Sequence, residues 1–201
     1  MATTDAGEDE TNAVVPAPRR SGVVVALLWM TVALCCFTVI AIAGREAQRR
    51  GMLTIELIFL RSVIALAVLI PILAATGQLV LAMRTGQPLL QIARGGVHWI
   101  AQFTWLYALA LIPLAQLFAL EFTAPLWVAV LAPLLIGERL TATRLAAAMI
   151  GFVGAIVVAN PGEASFGRGA LFACISALGF ALSMIATRRL TRTDSAATIL
   201  L

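Results

Sequence analysis

Apolar residues along this chain occur in long, nearly uninterrupted runs that are separated by short polar segments. Each run approaches the roughly 20 residues that an α-helix needs to cross the hydrocarbon core of a bilayer. The pattern therefore predicts an all-α fold, a polytopic membrane helix bundle of about six transmembrane helices. These helices are expected at residues 22–43, 57–76, 95–112, 114–136, 143–159 and 169–187.

Short breaker sequences set two of the boundaries between these runs. Only residues 112–114 (Ile-Pro-Leu) separate the third run from the fourth, which predicts a tight antiparallel hairpin. Residues 160–162 (Asn-Pro-Gly) follow the fifth run and are typical of the end of a helix. Residues 1–21 are acidic and then basic, without periodicity, so a disordered cytoplasmic tail is expected there.

The composition also indicates a membrane protein, because 61% of the residues are hydrophobic and 12% are charged. A soluble domain of 201 residues could not bury so much apolar surface against itself, so the lipid bilayer is an expected partner. Nucleic acid is not an expected partner, because arginine clusters that flank apolar runs more often set membrane orientation.

The arginines predict how the chain is oriented. Nine of the 14 basic residues, all arginines, lie on the side of the N-terminus and four lie on the other side. This excess predicts a cytoplasmic N-terminus in the cell (inner) membrane. The cluster at residues 44–51 (GREAQRRG) argues against that orientation.

Two charged residues lie inside predicted spans. Glu121 stands about eight residues, or about 12 Å, into the fourth span, and Arg61 stands about 8 Å into the second span from the same side. Because charges are costly in lipid, either the two form a buried ion pair that serves only packing, or they line a polar pathway. An unpaired Glu121 would be able to carry a proton, whereas a carboxylate paired with Arg61 would stay charged.

Two prolines predict a bend in the fourth span. Pro125 follows Glu121 by four residues and has no amide hydrogen to offer the Glu121 carbonyl, and Pro133 has the same relation to Ala129. Backbone groups freed in this way are tolerated at membrane depth where they are buried in protein or line a wet cavity.

One face of the third span carries polar and aromatic side chains. His98, Gln102 and Trp105 are spaced at i, i+4 and i+7, so they share one side of a helix. Polar side chains within spans usually face the protein interior or a cavity. The face is therefore a candidate lining of a binding site, although a lone histidine is more often a structural residue.

Small residues recur at every fourth position in the last two spans. Such stripes let helix backbones approach closely in lipid, and the alternative is that alanine is simply abundant. Gly151 and Ala155 in the fifth span, with Gly169 and Ala173 in the sixth, are the predicted packing residues. The stripes consist of Ala147, Gly151, Ala155 and Ala159, and of Gly169, Ala173, Ala177 and Ala181.

Sequence motifs of catalytic and metal sites are missing. One histidine cannot form a two-histidine metal site, and no Gly-rich phosphate loop or nucleophile elbow occurs. The three cysteines lie in apolar runs without metal-type spacing. No enzyme activity, metal or cofactor is therefore expected.

Residues 113–162 resemble the end of a repeat of the EamA family, in the drug/metabolite transporter superfamily. That repeat has a span with a mid-helix proline, then Gly-Glu-Arg-Leu, then a span that finishes near Pro-Gly. Pro125, residues 137–140 (GERL) and residues 161–162 (Pro-Gly) match in this order. Residues 59–66 (FLRSVIAL) also resemble the arginine-containing second helix of the family, and the resemblance covers residues 22–190.

The resemblance implies ten helices in two five-helix repeats of inverted topology, with a substrate cavity between the halves. It places the first repeat at residues 22–162 and the first helix of a second, incomplete repeat at residues 163–201. Four of the ten helices that the resemblance implies are then absent from this sequence. Either the sequence is truncated, which we favour, or a homodimer supplies the rest of the cavity.

The function implied by the resemblance is transport of small organic metabolites by alternating access, with protons as candidate coupling ions. Two rival functions stay open: a non-transporting membrane subunit or degenerate half-transporter, and a membrane enzyme with sparse motifs. The bend would come from Pro125 and Pro133. The side chains expected to contact the small-molecule substrate are Arg61, His98, Gln102, Trp105 and Glu121.

Overall fold

The computed structural model describes residues 20–137, 141–159 and 167–200 of the chain. Residues 1–19 of the tail predicted at residues 1–21, the Glu-Arg-Leu of the GERL motif and the breaker at residues 160–162 lie outside the described residues, and the last two residues of the predicted tail belong to the first helix. The helices are α1 (Arg20–Arg49), α2 (Thr54–Ala75), α3 (Leu79–Ala82), α4 (Pro88–Leu111), α5 (Leu114–Glu121), α6 (Ala124–Ile136), α7 (Ala142–Ala159), α8 (Arg168–Leu190) and α9 (Ala196–Leu200).

This architecture confirms the predicted all-α, polytopic class. Four helical segments among the described residues are long and apolar enough to cross a membrane. The predicted third span corresponds to α4, which falls short because Gln91, Arg94, His98 and Gln102 lower its hydropathy. The predicted fifth span corresponds to α7, which contributes a shorter apolar helix. The four long segments are Val24–Arg49, Thr54–Ala75, Leu114–Ile136 and Arg168–Leu190.

Several boundaries differ from those that hydropathy predicts. The first helix continues past residue 43 to Arg49, and α4 begins at Pro88 rather than residue 95. Proline at the first helical position has no amide hydrogen to leave unpaired, so it is a favourable start. The short helices α3 and α9 were not predicted, because four or five residues show no period.

The chain divides into two compact units, one ending at Ile40 and the other beginning at Ala41. The first unit holds the N-terminal part of α1, whose apolar side chains are largely exposed; Trp29, for example, is 71% exposed. All candidate site residues belong to the second unit.

The centre of the second unit is an antiparallel pair formed by α4 and α8. Ala101 of α4 lies opposite Gly179, and Leu111 near the end of α4 lies opposite Gly169 near the start of α8. A Cβ atom added at Gly179 would lie 2.8 Å from the Ala101 Cβ, and one added at Gly169 would lie 2.9 Å from the Leu111 Cβ. Both distances are too short for a side chain, so glycine permits the close approach of the two helices.

Other helices pack around this pair. Val128 and Ala132 of α6 form a buried cluster with Ala181 and Ile185 of α8. A second cluster joins Leu73 at the end of α2, Ala82 of α3 and Ala197 of α9. As a result α8 lies between α4 and α6, and α9 lies against α3.

Candidate functional site

Three polar contacts connect different helices inside the predicted membrane segments of the second unit. They join α2 to α4, α4 to α8, and α5 to α8. Each involves one of the charged or titratable residues that the sequence singles out.

Arg61 of α2 donates a hydrogen bond from its guanidinium to Gln102 Oε1 of α4, at 2.5 Å. Gln102 is only 7% exposed, whereas Arg61 is an exposed residue. The amide thus holds the guanidinium against α4 without neutralising its charge.

Glu121 is the last residue of α5, and its carboxylate accepts a hydrogen bond from the Ser176 hydroxyl of α8 at 3.4 Å. Ser176 is fully buried, and Glu121 is half-buried. Among the described residues this one long bond from a neutral hydroxyl leaves most of the carboxylate's hydrogen-bonding capacity unused.

Arg61 and Glu121 do not form an ion pair; among the described residues, the salt bridge joins Arg50 and Glu46. The reason is the packing of the helices. Arg61 lies on α2, which packs against α4, whereas Glu121 lies on α5, which packs against α7 and α8. Similar depth in the membrane therefore did not bring the two side chains together.

His98, Gln102 and Trp105 share one face of α4, on which Gln102 and Trp105 are buried and His98 is half-buried. His98 Nδ1 lies 3.4 Å from the Ser183 hydroxyl of α8, and its ring meets Phe180 edge-on with centroids 5.4 Å apart. Trp105 is 1% exposed. In this arrangement the face packs against neighbouring helices, so contact with a solute would require those helices to separate.

The sequence did not identify Ser176 and Ser183 as site residues. They are spaced at i and i+7 on α8, so they lie on one face, and both are buried. The signal available in the sequence was a pair of serines two turns apart in an apolar helix. A serine hydroxyl can also donate to a backbone carbonyl of its own helix, so the pair did not specify a site.

The fourth span is interrupted at the predicted place. Helix α5 ends at Glu121 and α6 begins at Ala124, so Pro125 lies in the first turn of α6. The Thr123 hydroxyl donates to the Leu120 carbonyl at 2.6 Å and so satisfies one carbonyl at the break. Pro133 lies inside α6 without interrupting it.

The two small-residue stripes lie in different surroundings. Gly169 and Ala173 of α8 are buried, and Gly169 lies against the end of α4. Gly151 of α7 is exposed, and a Cβ atom there would meet nothing within 4 Å among the described residues. The side chain of Ala155 lies outside the described residues, so the fifth-span stripe stays a prediction.

Arg45 and Gln48 give a structural role to part of the GREAQRRG cluster. The Arg45 guanidinium donates to the Leu109 carbonyl at 2.7 and 3.0 Å, and also to the Ile112 carbonyl. Gln48 donates to the Leu106 carbonyl at 2.9 Å. The Leu109 and Ile112 carbonyls lie at the C-terminus of α4, where carbonyls lack helical partners, and the Arg45 cation there also complements the helix dipole.

An aromatic stack runs along the outer face of α4. Trp99 and Phe103 lie 5.7 Å apart with ring planes 19° from parallel, and Phe103 and Tyr107 lie 6.5 Å apart at 12°. Phe172 of α8 meets Tyr107 edge-on at 4.7 Å. Trp99 and Tyr107 are 48% and 38% exposed, so the described helices leave part of this aromatic surface uncovered.

No cluster of three or more metal-binding side chains occurs among the described residues. The arrangement can instead present a cation and a carboxylate on separate helices, each with a neutral hydrogen-bond partner. Such separated charges suit the binding of a polar solute within an apolar bundle.

Comparison of the sequence with known proteins identifies the family of this chain. The EamA-like transporter family matches residues 24–160. The riboflavin transporter of Brucella anthropi is 30% identical over 85% of this chain and 60% of its own length. The S-adenosylmethionine uptake transporter of Rickettsia prowazekii is 25% identical over 70% of this chain and 47% of its own length. The riboflavin transporter of Vibrio cholerae is 27% identical over 86% of this chain and 58% of its own length.

The chain therefore spans about half to three fifths of the length of these curated relatives. No solved structure matches it at a significant level. The family match extends over most of the described helices and confirms the resemblance carried by Pro125 and the second-helix arginine. The chain belongs to the EamA-like transporter family.

Proposed function

We propose that this chain forms part of a transporter that moves small organic metabolites across the cell (inner) membrane by alternating access. Transport, rather than catalysis, is supported by the family and by the names of the relatives. The observation that carries the proposal is the set of polar contacts between helices within apolar segments. Polar groups at membrane depth are expensive and usually mark a solute or ion pathway.

The site would use Arg61 and Glu121 as separate charges. Each is held by a neutral partner, Gln102 for the cation and Ser176 for the carboxylate. Because neither charge cancels the other, both remain able to attract a polar or zwitterionic solute. Glu121 also stays a candidate proton carrier, since no arginine pairs with it among the described residues.

His98 and Trp105 would contact the solute in a different state of the cycle. Their face of α4 is covered by α8 here, with His98 next to Ser183 and Phe180. Separation of α4 from its neighbours would expose that face. The interruption before Pro125 supplies a place where the fourth span can change direction.

The solute class we favour is a small metabolite that carries a flat heteroaromatic ring. The relatives are named for riboflavin and S-adenosylmethionine, both of which contain such a ring. On this chain the ring would stack on the exposed surface of Trp99 or Tyr107. Stacking of flat rings on aromatic side chains is favourable by about 1–3 kcal/mol per ring in nucleic-acid complexes.

Replacement of Glu121 by Gln tests the proposal. The amide keeps the size of the side chain but removes its charge, so we expect uptake of riboflavin or S-adenosylmethionine by proteoliposomes to fall by about tenfold or more, equivalent to about 1.4 kcal/mol. Membrane insertion and the amount of folded protein should stay unchanged.

Glu46→Gln is the matched control. Glu46 is also a helical glutamate, but it is exposed and pairs with Arg50 at 2.9 Å outside the site. Its loss should leave uptake within about twofold of wild type, because exposed ion pairs contribute little. Equal uptake by the Glu121 and Glu46 variants would remove Glu121 from the site.

A further inference from the structure

A set of side-chain hydrogen bonds joins the segment that leads into α4 to the segment that follows α8. The first segment is Thr85–Arg94 and the second is Thr193–Ile199; we call the contacts between them the clasp. The clasp lies at the end of the bundle where α4 begins and α8 ends. It connects residues more than 100 positions apart in sequence.

Asp194 is the centre of the clasp. One carboxylate oxygen accepts the Gly86 amide at 2.9 Å, and the other accepts the Thr85 hydroxyl. Beside it, the Gln87 amide group donates to the Thr193 hydroxyl at 3.2 Å. These bonds are side-chain bonds near the surface, which water can replace at modest cost.

A second layer lies deeper, under the first. Gln91 donates to the Thr198 carbonyl at 2.8 Å, and Arg94 donates to the Ile199 carbonyl at 2.7 Å. The Thr198 hydroxyl donates to the Leu81 carbonyl at 3.1 Å. Thr198 is only 4% exposed, so this layer is buried between the two segments.

The closed clasp leaves polar atoms unsatisfied. Gln91 Oε1 and Arg94 Nε are buried and make no hydrogen bond among the described residues. Buried polar atoms without partners cost free energy, which offsets part of the gain from the bonds that form. Because the cost of these unsatisfied atoms partly cancels the gain from the hydrogen bonds, the clasp is suited to open and re-form.

The opposite end of the α4–α8 pair is built differently. There Gly169 brings the two backbones together against Leu111 and Ile112, and Arg45 binds the last carbonyls of α4. Separating that end would require the loss of close backbone packing. Separating the clasp would exchange its outer hydrogen bonds for water and would also uncover the buried Thr198.

We propose that the clasp is the closing element at one end of the transport pathway, and that it opens and re-forms in each transport cycle. This inference rests on the proposed transport function. Opening there would let α4 move away from α8 and uncover the face that carries His98 and Gln102.

Protonation does not operate the clasp near neutral pH. The Thr85 hydroxyl and, next, the Gly86 amide hold the pKa of the Asp194 carboxyl below its usual value. A group whose pKa is lowered by folding stabilises the folded arrangement above its ordinary pKa and loses that contribution as the pH falls through the lowered value. At neutral pH the carboxylate is therefore ionised, and the clasp must open by helix movement.

A disulfide across the clasp tests the proposal. A Cβ atom at Gly86 would lie 3.8 Å from the Thr193 Cβ, within the range that a disulfide requires. We would introduce Gly86→Cys and Thr193→Cys after replacing Cys35, Cys36 and Cys174 by serine, and follow uptake by proteoliposomes. Oxidation should reduce the initial uptake rate at least about tenfold, and reduction should restore it.

The single variant Gly86→Cys, in the same background that lacks Cys35, Cys36 and Cys174, is the matched control. It has no second thiol with which to form the disulfide, so oxidation should leave its uptake rate equal to that of its own reduced form. Complete disulfide formation across the clasp with unchanged uptake would overturn the proposal, as would failure of the clasp pair to cross-link.

A labelling experiment separates failure of the clasp from failure of the transport proposal. If the reduced variants and wild type take up neither riboflavin nor S-adenosylmethionine, this chain alone does not transport these solutes, and opening is then measured by the rate at which N-ethylmaleimide modifies the single variant Gly86→Cys. We expect Asp194→Asn to increase that rate severalfold. An unchanged rate would show that Asp194 does not hold the clasp closed.

Discussion

Charged side chains in the membrane segments of this protein are held by neutral residues on other helices. Arg61 binds Gln102 and Glu121 binds Ser176, so two charges that would neutralise each other in an ion pair stay apart. A buried ion pair gains Coulomb energy but no longer attracts a ligand, whereas a charge with a neutral partner keeps its field. At the scale of single residues, both charges would therefore be available to a solute under the proposed function.

A double-mutant cycle tests the Arg61 contact. We expect Arg61→Met and Gln102→Leu to show a coupling free energy of about 0.6–1.7 kcal/mol, because each single change already removes the hydrogen bond between α2 and α4. The measurement is unfolding of the purified protein in mixed micelles.

The cycle of Arg61→Met with Glu121→Gln is the contrast. Since Arg61 and Glu121 have different partners, their effects should add within about 0.5 kcal/mol. A larger coupling for this pair than for Arg61 with Gln102 would mean that the ion pair, and not the amide contact, exists in the folded protein.

The sequence identified the charged residues but not their partners. A charged residue within an apolar run can be identified from the sequence alone, so Glu121 and Arg61 could be found without a structure. Their partners depend on which helices are neighbours. Serine and threonine in apolar helices often bond to their own backbone, as Thr104 does to the Ile100 carbonyl at 2.9 Å, so Ser176 gave no clear signal.

At the scale of secondary-structure elements, hydropathy predicted the long helices better than their ends. The break before Pro125 was predictable, since proline cannot supply the amide that the Glu121 carbonyl needs. The start of α4 at Pro88 was missed because Gln91 and Arg94 interrupt the apolar pattern, although the proline itself is a start signal. The pairing of α4 with α8 depends on small residues whose partners the sequence does not specify.

Gly179 gives the prediction that belongs to this scale. A methyl group there would lie 2.8 Å from the Ala101 Cβ and 3.4 Å from the Ala101 Cα, so it would push α8 away from α4. We expect Gly179→Ala to lower the free energy of unfolding by about 1–3 kcal/mol, as overpacking does in cores. Unfolding in mixed micelles measures this change.

Gly96→Ala is the control on the same helix pair. A Cβ atom at Gly96 of α4 would meet nothing within 4 Å among the described residues. Alanine has the higher helix propensity by about 1 kcal/mol, so this variant should be as stable as wild type or more stable. Equal destabilisation by both substitutions would contradict the close α4–α8 contact.

At the scale of the whole molecule, the structure changes how the arginine cluster near the end of α1 is interpreted. Arg45 binds the Leu109 and Ile112 carbonyls, so it has a structural role at the C-terminus of α4. It is therefore set aside from the count. By the same criterion Arg94, which binds the Ile199 carbonyl, is set aside on the side of the N-terminus, so eight arginines remain on that side and three on the other. The excess keeps its direction and so still predicts a cytoplasmic N-terminus.

Thiol labelling of single-cysteine variants tests this orientation. With a cytoplasmic N-terminus, Thr193 of the clasp faces the cytoplasm, whereas Arg50 beyond the end of α1 faces the opposite side; the Arg50 side chain is 78% exposed and so accessible to a reagent. In right-side-out membrane vesicles, a membrane-impermeant maleimide should modify Arg50→Cys and leave Thr193→Cys unmodified until the vesicles are permeabilised. The reverse pattern would place the N-terminus outside and would move the clasp to the outer end of the pathway.

Because α4 and α8 are antiparallel, one bilayer face must hold both halves of the clasp, so labelling Gly86→Cys in the same vesicles has to agree with Thr193→Cys whichever orientation is correct.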